Sequence, residues 1–192
     1  MGNFFTDNDD LRFVLNNMDL SGISNLTEQG YKFADKFDYA PASAEEAIQN
    51  YNMVMESLGQ LCADFIAPRS EEMDRQGNTL TEDGRVERPE AMNEILDKLA
   101  KADVMGMTLP YRFGGLNFPT TILSVANEMI SRADASLMNI FGLQGIAETI
   151  NSFASEEIKQ EYLHDLAAGT KTGAMVLTEP DAGSDLQSCK LR

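Results

Sequence analysis

The residues best suited to chemistry stand near the end of the chain. There Thr178-Glu179-Pro180-Asp181-Ala182-Gly183-Ser184-Asp185 follows the apolar run Ala174-Met175-Val176-Leu177. A glycine lets a backbone approach a ligand closely, and turn residues expose N–H groups and hydroxyls, so such a loop can hold an anion or a heteroaromatic ring. On spacing alone the same residues also make a turn capped by an Asx or Ser side chain, which is their commoner use. Other chemistries find less. His164 is the sole histidine, has no second histidine or cysteine at ligand spacing, and reads as a surface side chain, so no metal site is expected. The glycine fingerprints of dinucleotide folds, P-loops and α/β-hydrolases are missing. Asp7, Asp9 and Asp10 lack the glycine and final glutamate of a calcium loop and read as a solvated tail.

The elements that must position this loop are helices. Apolar residues recur at Ala44, Ala47, Ile48, Tyr51, Met55, Leu58, Cys62, Phe65 and Ile66, the stripe of a helix packed on one face. Ser43 with Glu46 forms a capping box at its start, and Pro68 is expected to stop it near Ala67. Upstream, Leu11 to Leu15 and Tyr31 to Phe37 suggest shorter helices joined by polar linkers. Arg69 to Arg88 is polar, with Gly77-Asn78 and Asp83-Gly84 as turn signals, and reads as an exposed loop with a small hairpin. Pro89 opens a helix striped by Met92, Ile95, Leu96 and Leu99, and another runs from Ile122 to Ala133. Ser136 to Phe153 is apolar nearly all round and is expected to be the central buried helix. Ser155 caps a further helix that should bury Ile158, Tyr162 and Leu166 and close at Gly169. Thr172 to Thr178 changes character and reads as a buried strand, with further strands expected beyond Arg192.

At 192 residues the chain is long enough for one ordinary domain with a real core. Its net charge of −16 is concentrated in the front: residues 1–84 carry 16 acids against 5 bases, and residues 85–192 carry 15 against 10. Such a surface repels phosphates, which argues against nucleic acid and against anionic membranes as partners. No stretch approaches the roughly 20 apolar residues of a membrane span, and the acidic start lacks the basic region of a signal peptide. Cys62 and Cys189 form no CxxC pair or disulfide framework, which suits a reducing compartment; a cytoplasmic protein is the expectation. Cys62 falls on the first apolar stripe and reads as core.

Residues 175–185, Met-Val-Leu-Thr-Glu-Pro-Asp-Ala-Gly-Ser-Asp, resemble the signature of the acyl-CoA dehydrogenase family at the junction of its N-terminal helical domain and its middle β domain. Leu109-Pro110 followed by Phe113-Gly114-Gly115-Leu116 resembles the family's proline and double-glycine loop, and Ser155 to Gly169 its helix before the signature. Helix order and spacing agree from about Tyr51 to Arg192. The N-terminal stretch and the long Arg69 to Arg88 loop resemble a longer subgroup that includes the 3-methylmercaptopropionyl-CoA dehydrogenases.

The resemblance implies a mainly α fold: a helical bundle ending in the first strand of a truncated β domain. It implies an N-terminal extension over 1–42, the helical domain over 43–170 and the start of the β domain over 171–192. It also implies FAD as cofactor, an acyl-CoA substrate oxidised to the 2-enoyl-CoA, an electron-transfer flavoprotein as acceptor, and a homo-oligomer when complete. By resemblance, Thr178 lies near flavin N5 and O4, and Leu177 lends backbone bonds to the pyrimidine edge. Met175 takes the place of a residue that is often aromatic. Gly183 and Ser184 fall where FAD phosphates and the bound thioester are contacted. Phe141, Leu143 and Gln144 fall on a helix that lines the acyl cavity, although plain core packing explains them equally well. The family's carboxylate base comes from a C-terminal helical domain, so no catalytic residue is assigned in this chain, and the fragment alone is expected to be inactive. Glu179 belongs to the turn. An acyl-CoA oxidase using oxygen and a non-catalytic helical assembly module are the alternatives.

Overall fold

The stripe from Ala47 to Ile66 forms the spine of a helical bundle. The computed structural model describes residues 2–190. Helix α3 spans Ala44–Leu61, and its capping box closes as the sequence implies: the Ser43 hydroxyl accepts the Glu46 N–H at 3.2 Å, and the Glu46 carboxylate accepts the Ala42 N–H at 2.7 Å. Ala47, Tyr51, Met55 and Leu58 are buried, as are Cys62 and Ile66 beyond them.

The spine does not stop before Pro68. A π-helical turn at Cys62–Ile66 leads directly into α4, Ala67–Gln76, so the polar loop begins only at Gly77. In the π turn the Ala67 N–H donates five residues back, to the Cys62 carbonyl. The widened turn makes room for a proline that has no N–H to give. The Arg69 guanidinium donates to the Phe65 carbonyl at 2.9 Å while lying 3.6 Å from the centre of the Phe65 ring. An exposed antiparallel hairpin follows, with β1 (Thr79–Leu80) paired to β2 (Val86–Glu87) across the Asp83-Gly84 turn.

Helix α5 (Glu90–Lys101) buries Met92, Ile95 and Leu99. Helix α6 (Thr120–Ala133) is the central element, with Ile122, Ala126, Met129 and Ile130 at 0 % exposure between α3, the π turn and the next helix. Ser136 to Phe153 is therefore not a single central helix. It divides into α7 (Ala135–Leu143) and α8 (Ile146–Phe153). Between them, Gln144, Gly145, Ala147 and Glu148 each donate only three residues back, a tightened connection that redirects the chain. Leu137 and Phe141 of α7 stay in the main core, whereas Ala147 of α8 joins a second cluster with Leu109, Phe113, Leu163, Leu166 and Ala167. Phe153 is 85 % exposed.

Helix α9 (Glu156–Ala167) is capped by Ser155 and followed by Gly169 at φ +70, as expected. Its buried face is Leu163, Leu166 and Ala167 rather than Ile158 and Tyr162, which are 42 % and 40 % exposed. The second cluster lies on one side of the helix, and that side selects the buried residues. At the front, α1 (Asp9–Asn17) and α2 (Leu20–Thr27) pack on the bundle, and Phe5 is buried. Asn3 Nδ2 donates to the Glu56 carbonyl at 3.0 Å and the Phe4 N–H to the Gly59 carbonyl at 3.1 Å, so the start of the chain is docked on α3, while Asp7, Asp9 and Asp10 stay exposed. No helix covers Tyr31 to Phe37, which is a series of turns. Gln29, Gly30 and Tyr31 have φ of +52, +71 and +60, and three left-handed residues in succession cannot continue a right-handed helix.

Candidate functional site

Residues 172–178 have no regular secondary structure and pair in no sheet among the described residues, and Met175, Val176 and Leu177 are 50, 71 and 47 % exposed. The expected buried strand is thus an exposed, irregular segment. The physical reason is that backbone amides in a strand need neighbours, and none of the described segments lies alongside to supply them.

Its course is nevertheless fixed at its start. Helix α9 ends with Asp165 accepting from Lys171 Nζ at 2.7 Å, and the pair pulls the Asp165 carboxyl below and the Lys171 ammonium above their ordinary ranges. The buried Gln144 side chain then ties three pieces together: Nε2 donates to the Leu166 carbonyl at 3.1 Å and to the Lys171 carbonyl at 3.5 Å, while Oε1 accepts the Gly173 N–H at 3.1 Å. Gly173 itself lies so close to the α7–α8 connection that a Cβ there would stand 2.1 Å from Ile146 Cγ2 and 2.9 Å from the Leu143 carbonyl. Only glycine permits that approach.

Beyond Thr178 the chain reverses. Glu179 and Ala182 exchange backbone bonds at 2.8 and 3.3 Å, and the Glu179 carboxylate accepts the Lys190 N–H at 2.7 Å. The turn brings Thr178 against Gly183, where a Cβ would stand 3.0 Å from the Thr178 hydroxyl. Thr178 and Ser184 are exposed and Gly183 is half-buried. Among the described residues, the backbone N–H groups of Met175, Leu177, Thr178, Gly183 and Ser184 donate to no protein acceptor. The loop therefore presents several free donors and two hydroxyls on one outward segment, which suits an acceptor-rich planar ring or a phosphate.

Phe141 and Gln144 lie inside the bundle, 1 % and 6 % exposed, and Leu143 is half-buried. Phe141 and Gln144 border a small cavity of about 10 Å³, shared with Leu109 and Leu123, which has room for about one water. His164 is exposed, its ring edge-on to Phe113 at 5.4 Å. Among the described residues no group of three or more potential metal-ligating side chains occurs, and no helix is long and apolar enough to cross a membrane.

Two features escaped sequence reasoning. Asp134, 7 % exposed, caps α7 by accepting the Leu137 N–H at 2.7 Å; Asp-Ala-Ser before an apolar run is a readable cap signal. Gln144 is reached from the sequence only through the family resemblance, as a residue of the acyl cavity; its role as a tie carries no signal, because its partners lie 22 to 29 residues downstream.

The described residues define a helical bundle whose last helix leads into an exposed, donor-rich loop. The chain belongs to the acyl-CoA dehydrogenase family: residues 49–170 match the model of the acyl-CoA dehydrogenase N-terminal domain. The 3-methylmercaptopropionyl-CoA dehydrogenase of Ruegeria pomeroyi is 33 % identical over 154 residues, covering 73 % of this chain and 25 % of that protein. A chain of the electron transferring flavoprotein structure from Acidaminococcus fermentans superposes with a TM-score of 0.61 at 27 % identity, covering 73 % of this chain and 34 % of that one. Glutaryl-CoA dehydrogenase of Mycobacterium smegmatis, solved in complex with FADH2, shares the fold at a TM-score of 0.60 and 24 % identity, over 73 % of this chain and 34 % of its own. The chain spans about a quarter to a third of the length of these relatives.

Proposed function

We propose that this chain is the N-terminal part of a flavoprotein that oxidises an acyl-CoA thioester to the 2-enoyl-CoA. The observation that carries the reading is the donor-rich loop Thr178–Ser184, held at the end of a bundle that matches the family's N-terminal domain. The residues present suit FAD, since free backbone N–H groups and the Thr178 hydroxyl complement the ring's acceptor atoms. When bound, FAD supplies the hydride acceptor for the substrate β-carbon. Thr178 and the backbone of Leu177 orient the ring, Met175 flanks it, Gly183 leaves room for close approach, and Ser184 holds phosphate or thioester oxygen. Phe141, Leu143 and Gln144 stand behind the loop as the wall toward the acyl group. The α-proton is taken by a carboxylate outside these 192 residues, so the chain alone is inactive; electrons pass to an electron-transfer flavoprotein, and the complete protein is a homo-oligomer of the cytoplasm.

The test is Thr178→Val in the full-length protein. The substitution keeps the side-chain shape and removes a donor that strengthens as charge develops. Loss of one such donor costs up to about 3 to 4 kcal/mol in the best-studied oxyanion sites, and less is expected here because the backbone N–H remains. Flavin reduction followed by anaerobic stopped-flow should slow at least about tenfold with FAD content unchanged. An unaltered reduction rate in a variant that still holds FAD refutes the assignment. The 192-residue chain by itself should give no dye-linked turnover with acyl-CoA substrates and added FAD.

A further inference from the structure

Glu28, at the end of α2, is 1 % exposed. Its Oε1 accepts the Tyr111 hydroxyl at 2.8 Å and the Asn117 amide at 3.1 Å, and the same amide donates to the Thr27 carbonyl at 3.3 Å. Its Oε2 is buried without a protein partner, and so is the Tyr51 hydroxyl on α3. Tyrosines surround the cluster: Tyr111 from the loop before α6 and Tyr51 from α3 beside Glu28, Tyr31 just past α2 beside Tyr51, and Tyr39 edge-on to Tyr111 at 5.3 Å. No Lys, Arg or His among the described residues lies within ion-pair distance of Glu28. A buried carboxylate without a cation is costly, whereas the neutral acid carries no charge to desolvate.

The placement gives this chemistry a consequence. Residues 19–41 precede the part of the chain that matches the family model, while Tyr51, Tyr111 and Asn117 lie within it. Glu28 is the buried carboxyl group among the polar links between the two, beside the Asn117 bond to Thr27. Phe33, Phe37 and Tyr39 close over the Tyr111 ring at 5.8, 5.3 and 5.3 Å, and a groove of about 310 Å³ runs between Tyr39, Pro41, Leu116 and Phe118. We propose that Glu28 is a proton-controlled clasp: as the neutral acid it holds residues 19–41 against the Tyr111–Phe118 loop, and on ionisation it releases them.

Burial pushes the Glu28 carboxyl above its ordinary value of 4.5, with the Tyr111 and Asn117 bonds pulling back more weakly. Burial likewise pushes Tyr51 and Tyr111 up, so both stay neutral. For a group raised in the folded state, the stabilisation is full below 4.5 and is lost as pH rises through the folded value.

Hydrogen exchange on the full chain tests the clasp at the amides of Glu28, Gly30 and Lys32, which donate to Ser24, Asn25 and Glu28 carbonyls. With the intrinsic rate corrected, their protection relative to α6 should fall severalfold as pH is raised from below 4.5 through the folded value. Glu28→Gln mimics the neutral acid, and its protection ratio should stay flat across that range. Tyr111→Phe removes a donor that favours the charged form, so it should move the midpoint of the loss to higher pH. A wild-type profile parallel to that of Glu28→Gln overturns the proposal; if that variant fails to fold, a midpoint that Tyr111→Phe leaves unmoved or lowers does so.

Discussion

Replacing Gln144 by Met isolates the tie that aims the signature loop. Methionine keeps the volume and helix propensity of glutamine but has no amide, so packing around the 6 % exposed side chain changes little. Two bonds at 3.1 Å are lost outright, and the contact at 3.5 Å contributes little. Each good bond is worth about 0.5 to 1.5 kcal/mol net. The Leu166 carbonyl keeps the Gly169 N–H at 3.2 Å, so it is not orphaned, and the Gly173 amide is half-buried and regains water in part. The expected loss is about 2 kcal/mol, which for a domain of this size lowers Tm by about 4 to 8 °C. Thermal unfolding followed by circular dichroism measures it, and exchange at the Gly173 amide should accelerate with it. Gln160→Met, an exposed control on α9, should leave Tm nearly unchanged. If Gln144→Met melts within about 2 °C of the parent and Gly173 stays protected, the side chain does not hold the segment and the reasoning fails.

Two further outcomes follow from burial. Ile130→Asp places an unpaired charge at a position of 0 % exposure, a cost of several kcal/mol that should abolish cooperative melting, whereas Ile146→Asp, on a half-buried site, should leave a folded protein with lowered Tm; equal melts for the two would misplace the core. Burial pushes the Cys62 thiol up to about 12, so a thiol reagent at pH 8 should titrate a single cysteine, Cys189, in the native chain and both only in denaturant; two native thiols reacting at similar rates would contradict the buried position.

Periodicity determined much of this protein directly. The stripe of α3, the Ser43–Glu46 box, the faces of α5 and α6 and the ends of α9 are local consequences of side chains three or four residues apart, and such neighbours are visible in a sequence. The family resemblance of residues 175–185 was legible for the same reason, since a loop signature is contiguous. Tertiary structure decided whatever depended on distant partners. Pro68 reads as a stop, yet a π turn and the Arg69 guanidinium carry the helix past it. An apolar run from Ser136 to Phe153 reads as one buried helix, but tight turns at Gln144 and Gly145 divide it between two cores. Ile158 and Tyr162 fit a stripe as well as Leu163 does, and only the location of the second cluster chose between them. Glu28 looks like an ordinary surface residue in the sequence, and nothing there shows which groups Gln144 bonds. Their burial depends on groups tens of residues away, because a buried polar side chain is tolerated only where folding brings its hydrogen-bond partners to it.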